Sequence, residues 1–180
     1  MKARRVKGLD PEGPLVENAR RIVATRVDEL YSFDPHGDAE TLHHMRIAAK
    51  RLRYILELTG PVLGGAAASG AREAKAIQTL LGELHDCDVM LELIAEHSAR
   101  LRRNNADAAL ALAPRGAKDL PAESVRSLPH RLEFRGLETL AAYFSARRDL
   151  LHKRFLDKWQ RLERAGFRDR LTRPPVAKAG

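Results

Sequence analysis

The stretch Leu42-His43-His44-Met45-Arg46-Ile47-Ala48-Ala49-Lys50-Arg51-Leu52-Arg53-Tyr54-Ile55-Leu56-Glu57 decides how this chain is read. Wound at about 100° per residue, it puts Leu42, Met45, Ala48, Ala49, Leu52, Ile55 and Leu56 on one side of a helix. His43, Arg46, Lys50 and Arg53 fall on the other side, with Tyr54 and Glu57 beside them. The spacing i, i+3, i+7, i+10 stacks the four basic groups along one ridge. No acidic residue stands between Leu42 and Leu56. Cations packed this way repel one another unless an anion sits on them; the plainer alternative is a solvated basic face.

The rest of the chain agrees with a helical reading. Ala, Leu, Arg and Glu dominate, β-branched residues are thin, and few stretches alternate apolar and polar residues. With 180 residues the chain can bury a core as one domain without disulfides. Lys and Arg number 32 against 24 Asp and Glu, a net charge of +8, which argues for solubility and for attraction to anions but says nothing about fold. Cys87 is the sole cysteine, so no internal disulfide forms and a reducing compartment is expected. No apolar run approaches membrane-spanning length. The basic opening, Met1 to Gly8, has no apolar signal core behind it, so no secretory signal is expected and a cytoplasmic location is the default.

The expected fold is all-α: a four-helix-type bundle with long helices and a mobile, Pro- and Gly-containing connection before the last one. The first helix spans about Pro14 to Leu30, with an apolar stripe from Leu15 to Leu30. Asp38 is a candidate N-cap for the second, which Gly60-Pro61 should stop near Thr59. The third starts near Ser69 and reaches Leu84; Asp86-Cys87-Asp88 either interrupts it or lies within it, with Val89 to about Arg102 as its continuation. The last runs from about Phe134 to Ala165 and ends at Gly166. These elements suggest a basic tail over 1–12, a helical domain over 13–170 with a flexible connection at about 104–132, and a disordered tail over 171–180.

Several charges fall on apolar stripes. If the third helix is continuous, Asp88 shares a stripe with Ile77, Leu81, Leu84 and Leu91, and an inward carboxylate is costly unless paired. Arg26 sits within the stripe of the first helix. Arg148 sits near the middle of the stripe Leu137, Leu140, Phe144, Leu151, Phe155, Trp159 and Leu162, with His152 at its edge. A lone inward arginine usually marks a salt bridge; the functional alternative is a cationic groove lined by Arg26, Arg148 and His152 together with the ridge. Gly82, inside a helical pattern, is read as permitting a close helix approach.

The pattern His43-x-x-Arg46-x-x-x-Lys50-Arg51-Leu52-Arg53-Tyr54, followed by Leu81-Gly82-Glu83-Leu84-His85-Asp86-Cys87-Asp88-Val89, resembles the CHAD family, the histidine-containing α-helical domain. The resemblance runs from the first helix through about Leu93 and is looser over Arg148, Phe155 and Trp159. It implies a helical fold with a basic groove that binds inorganic polyphosphate, and by position the groove residues are His43, Arg46, Lys50, Arg51 and Arg53. Full-length family members usually hold two related bundles, whereas this chain has about one. Two copies about a two-fold axis would rebuild a longer basic surface; a monomer with a half-length groove is the alternative.

The expected function is therefore non-catalytic binding of a polyanion, inorganic polyphosphate first. Arg forks and Lys ammonium groups suit phosphate oxygens. A metal-dependent phosphohydrolase built from His43, His44, His85, Asp86 and Asp88 is the enzymatic rival. No zinc spacing, phosphate loop or nucleophile motif supports it, so no metal or cofactor is expected. A nucleic-acid-binding helical module is the other rival; charge permits it, but aromatic residues are only 5% of the chain, several at core positions, and no helix-turn-helix or finger signature appears.

Overall fold

The structure, a computed structural model, describes residues 2–173 apart from the side chains of Val125 and Arg131. Among the described residues there are six helices and no strand, so the fold is all-α: α1 (Leu15–Leu30), α2 (Ala39–Leu63), α3 (Gly65–Ala111), α4 (Ala122–Arg126), α5 (Arg131–Arg164) and α6 (Phe167–Thr172). The chain divides into two compact units, one of Met1–His85 with Leu150–Gly180, the other Asp86–Asp149.

The first unit holds α1, α2, the opening part of α3, the closing part of α5, and α6. Its core follows the apolar stripes: Ala19, Val23, Val27 and Leu30 of α1; Leu42, Met45, Ala49, Leu52 and Leu56 of α2; Ala74, Ile77, Leu81 and Leu84 of α3; Leu151, Phe155, Trp159 and Leu162 of α5. On α2 these positions recur in steps of three and four, a seam that packs against neighbouring helices on one side only. Asp38 starts α2 by accepting the Thr41 N–H at 2.8 Å. Gly70 makes room for α6: a Cβ there would lie 2.7 Å from Leu171 Cδ2 and 3.2 Å from Leu56 Cδ1.

Glu29 of α1, 2% exposed, accepts from Arg26 and, at 2.6 Å, from Arg51 Nη1 of α2. A carboxylate this deep survives as an ion only because two guanidiniums replace its water. Arg26 also donates to the Arg4 carbonyl, and Arg21 to the Gly8 carbonyl, while Asn18 and Asp10 exchange two hydrogen bonds. Residues 2–12 thus follow α1 as a held segment without regular structure.

In the second unit, Cys87, Ile94, Ser98, Leu101, Asn105 and Ala109 of α3 and Ser124 of α4 are buried. Arg148 of α5 pairs with Asp88 of α3 there.

Several helix ends differ from expectation. α2 passes through Gly60-Pro61 to Leu63, because a proline in the last turn removes only one intrahelical bond. Gly64, at φ +72°, then ends it. α3 is uninterrupted and runs beyond Arg102 to Ala111. The Ala- and Leu-rich run 106–111 restores the propensity that Asn104 and Asn105 weaken. Positions 104–111 of the expected connection are therefore helical, as is 122–126. Asp88 is half-buried, and the core position belongs to Cys87. From Leu84 the buried stripe steps three residues to Cys87 and then seven to Ile94, which leaves Asp88 beside it and paired with Arg148. Gly166, at φ +63°, ends α5, but the unexpected α6 follows it. Of the expected disordered tail, 174–180 lies outside the described residues.

Glu29→Ala strands two guanidiniums at the α1/α2 contact and should lower stability by about 3–5 kcal/mol. Chemical denaturation checks this; a loss below about 1 kcal/mol, the range of an exposed pair, contradicts it.

Candidate anion-binding site

Burial of the α2 seam fixes the rotation of that helix and turns its basic row along α3. His43, Arg46 and Arg53 are half-buried and Lys50 is exposed. From His43 to Arg53 the row covers about 15 Å of helix. Its partners on α3 are Gln78, Gly82 and His85. The His43 and His85 rings lie 4.3 Å apart. Arg46 crosses the α3 backbone at Gly82, where a Cβ would stand 3.5 Å from Arg46 Nε. Alanine would touch the guanidinium there, and a longer side chain would displace it. Arg53 Nη1 donates to Gln78 Oε1 at 3.2 Å.

None of these three α3 positions carries an acid. Glu57, at the end of the row, lies 3.2 Å from Arg53 Nε and is half exposed, but the pair is too poorly aligned for a hydrogen bond. His43 Nδ1, Arg46 Nε and Arg53 Nε are covered and lack a hydrogen-bond acceptor within the protein. Tyr54 lies against two cations of the row, with its ring 4.6 Å from Arg53 Cζ and 5.8 Å from Lys50 Nζ. Contacts of this kind hold the long side chains over a defined surface. Burial, and then the nearby His85 and Arg46, hold His43 below its ordinary pKa. Proximity to positive charge and loss of water both disfavour the imidazolium. The row is thus short of acceptors and rich in donors, the condition a multivalent oxyanion relieves.

The residues singled out in the sequence separate into groups. His43, Arg46, Lys50 and Arg53 stand together on one face of the first unit. Arg51 lies about 120° around α2 from the middle of that row and is committed to Glu29. Arg26 does not line a groove: it is 8% exposed and held by Glu29 and the Arg4 carbonyl, because a guanidinium removed from water needs acceptors. His152, also in the first unit, lies 3.1 Å from the Pro35 carbonyl through Nε2 and stacks on Phe155. Arg148 belongs to the second unit and is paired with Asp88. Gln78 escaped the sequence reading, since its role depends on which face of α3 meets α2. Among the described residues no three His, Cys, Asp or Glu side chains gather to hold a metal ion. Burial pushes the Cys87 thiol up, which disfavours the thiolate nucleophile.

No curated protein and no solved structure matches the chain. The family model of the CHAD domain matches residues 9–95. That span contains α1, α2 and the part of α3 that meets the basic row. Over residues 9–95 the chain is therefore similar to the CHAD domain family.

Proposed function

We propose that this protein binds inorganic polyphosphate, without turning it over, along the row His43, Arg46, Lys50 and Arg53. The observation that carries this reading is that His43 Nδ1, Arg46 Nε and Arg53 Nε of the row are covered without a hydrogen-bond acceptor in the protein, while Glu57, at its end, reaches only Arg53. Polyphosphate presents repeated anionic oxygens along a flexible chain, matching donors repeated along a helix. Similarity of residues 9–95 to the CHAD domain family favours this polyanion over nucleic acid, as does the scarcity of exposed aromatics for base stacking. Among the described residues no helix is long and apolar enough to cross a membrane. A reducing, cytoplasmic setting suits the single, buried Cys87. Two copies about a two-fold axis, joined by a shared polymer, would extend the basic surface.

Replacing Arg46, Lys50 and Arg53 by Ala should leave the helical fold intact, because none of them contributes to the core. Polyphosphate affinity should fall about ten-fold or more, and the slope of log affinity against log salt should shrink by about 2, if single-strand nucleic acid is a guide to counterion release. Calorimetry at three salt concentrations reads both, and unchanged values contradict the row as the site.

Polyphosphate should also bind more tightly as pH falls. His43 is held below 6.5 in the free protein, and an anion on the row favours its protonated form, so binding takes up a proton. The gain should develop as pH falls through the range in which His43 takes up its proton and be smaller in His43→Gln; His44, His85 and Arg46 remain as neighbours in both proteins. Equal pH dependence in the two would remove His43 from the site. Free-protein stability moves oppositely: the unfolded chain takes its proton first, so the His43 contribution is lost as pH falls below about 6.5.

Incubation with long polyphosphate, with or without Mg²⁺, Mn²⁺ or Zn²⁺, should release no orthophosphate. Metal-dependent release that disappears in His43→Ala would establish an enzyme instead.

A further inference from the structure

The first unit has a second basic concavity, on another side of α3. A groove of about 560 Å³ runs between α3 and α5. Arg72 and Lys75 line it from α3, and Arg154, Lys158 and Arg161 from α5. The acids on its wall are Glu83 and Asp157. Among the described residues Arg72, Lys75, Arg154 and Lys158 make no ion pair, and Arg161 Nε donates to the Asp157 carbonyl at 3.0 Å. Glu73, the acid between Arg72 and Lys75 in sequence, is instead held by Arg170 at 3.0 Å. Five cations around a concave wall, with two acids among them, focus positive potential more than the same charges spread over a convex surface.

The two basic surfaces are neighbours around α3. The row meets α3 at Gln78, Gly82 and His85. Thr79, on the groove wall, lies about 100° around from Gln78, and Lys75 about 60°, so Lys75 stands at the edge between the two surfaces. Only the width of one helix, about 10–12 Å with side chains, separates them.

We infer that the α3/α5 groove is a second anion subsite, occupied by phosphates of the same polyphosphate chain after it has crossed α3 beside Lys75. This rests on the α2 row being the first subsite. A chain long enough to reach both has its second contact made intramolecularly, whereas a short oligophosphate fills one subsite at a time. The groove thus extends the chain length over which affinity keeps rising beyond what the row alone can hold.

The test combines two substituted proteins with two ligands, tripolyphosphate and long polyphosphate, in calorimetry. The groove protein carries Arg72→Gln, Lys75→Gln and Arg154→Gln, all at exposed positions; the row protein carries Arg46→Ala, Lys50→Ala and Arg53→Ala. Unchanged thermal midpoints establish that both fold. The inference expects tripolyphosphate to fall from two bound per chain to one in either protein. Long-chain affinity should drop about ten-fold or more in the groove protein. Unchanged long-chain affinity there overturns the second subsite, while its loss in the row protein still supports the row. Loss in the groove protein alone would overturn the two-subsite model by assigning the ligand to the groove and refuting the row.

Discussion

The placement of every candidate binding residue depends on the buried seam of α2. Leu42, Met45, Ala49, Leu52 and Leu56 repeat at intervals of three and four residues and are almost wholly buried. Burying each Leu or Met contributes roughly 1.5–3 kcal/mol. Two surface cations about 4 Å apart repel by only about 1 kcal/mol in water-like surroundings. The apolar term therefore dictates the rotation of the helix, and the cations accept the positions it leaves them. A slip of one residue would turn the helix by about 100° and carry Arg46 toward the core, where an unpaired guanidinium is far more costly than the mutual repulsion of the row.

That asymmetry explains why the basic face was legible in the sequence while its environment was not. A strong seam and an acid-free opposite side are properties of one helix, visible from spacing alone. Gly82 also showed through, since a glycine inside a long helix asks for a packing reason, and Arg46 crossing over it is one. Arg51 is the contrasting case. Its place within the motif suggested the groove, yet its partner, Glu29, lies 22 residues away on another helix. Asp88 does have the basic partner that an inward carboxylate requires, Arg148, but it is half-buried, and the core position beside it belongs to Cys87, a one-residue difference that depends on the helix packed against α3. The length of α3 was hidden by Asn104 and Asn105, whose weak propensities are outweighed by the following Ala and Leu residues and by burial of Asn105 and Ala109.

The acids of the first unit are as informative as its cations. Glu29 neutralises Arg26 and Arg51, Asp28 meets Arg168 at 2.8 Å, and Glu73 meets Arg170. These pairs tie α1, α2, α3 and α6 together. Along His43, Arg46 and Lys50 no carboxylate is spent, and Glu57 only fringes Arg53. Paired charge thus supports the fold where helices meet, and charge without a carboxylate partner gathers along His43, Arg46 and Lys50 and in the α3/α5 groove. A uniformly solvated basic surface has no reason to keep its acids away from one line. A binding surface does, because each internal carboxylate would compete with the ligand and weaken the field that attracts it.

The most direct test of this account is a crystal structure of the protein bound to polyphosphate. It predicts phosphate oxygens within hydrogen-bond distance of Arg46 and Arg53, with Lys50 over the chain and the His43 imidazole turned toward it. Polyphosphate bound at well-defined positions elsewhere, with no density along His43, Arg46, Lys50 and Arg53, would contradict the assignment.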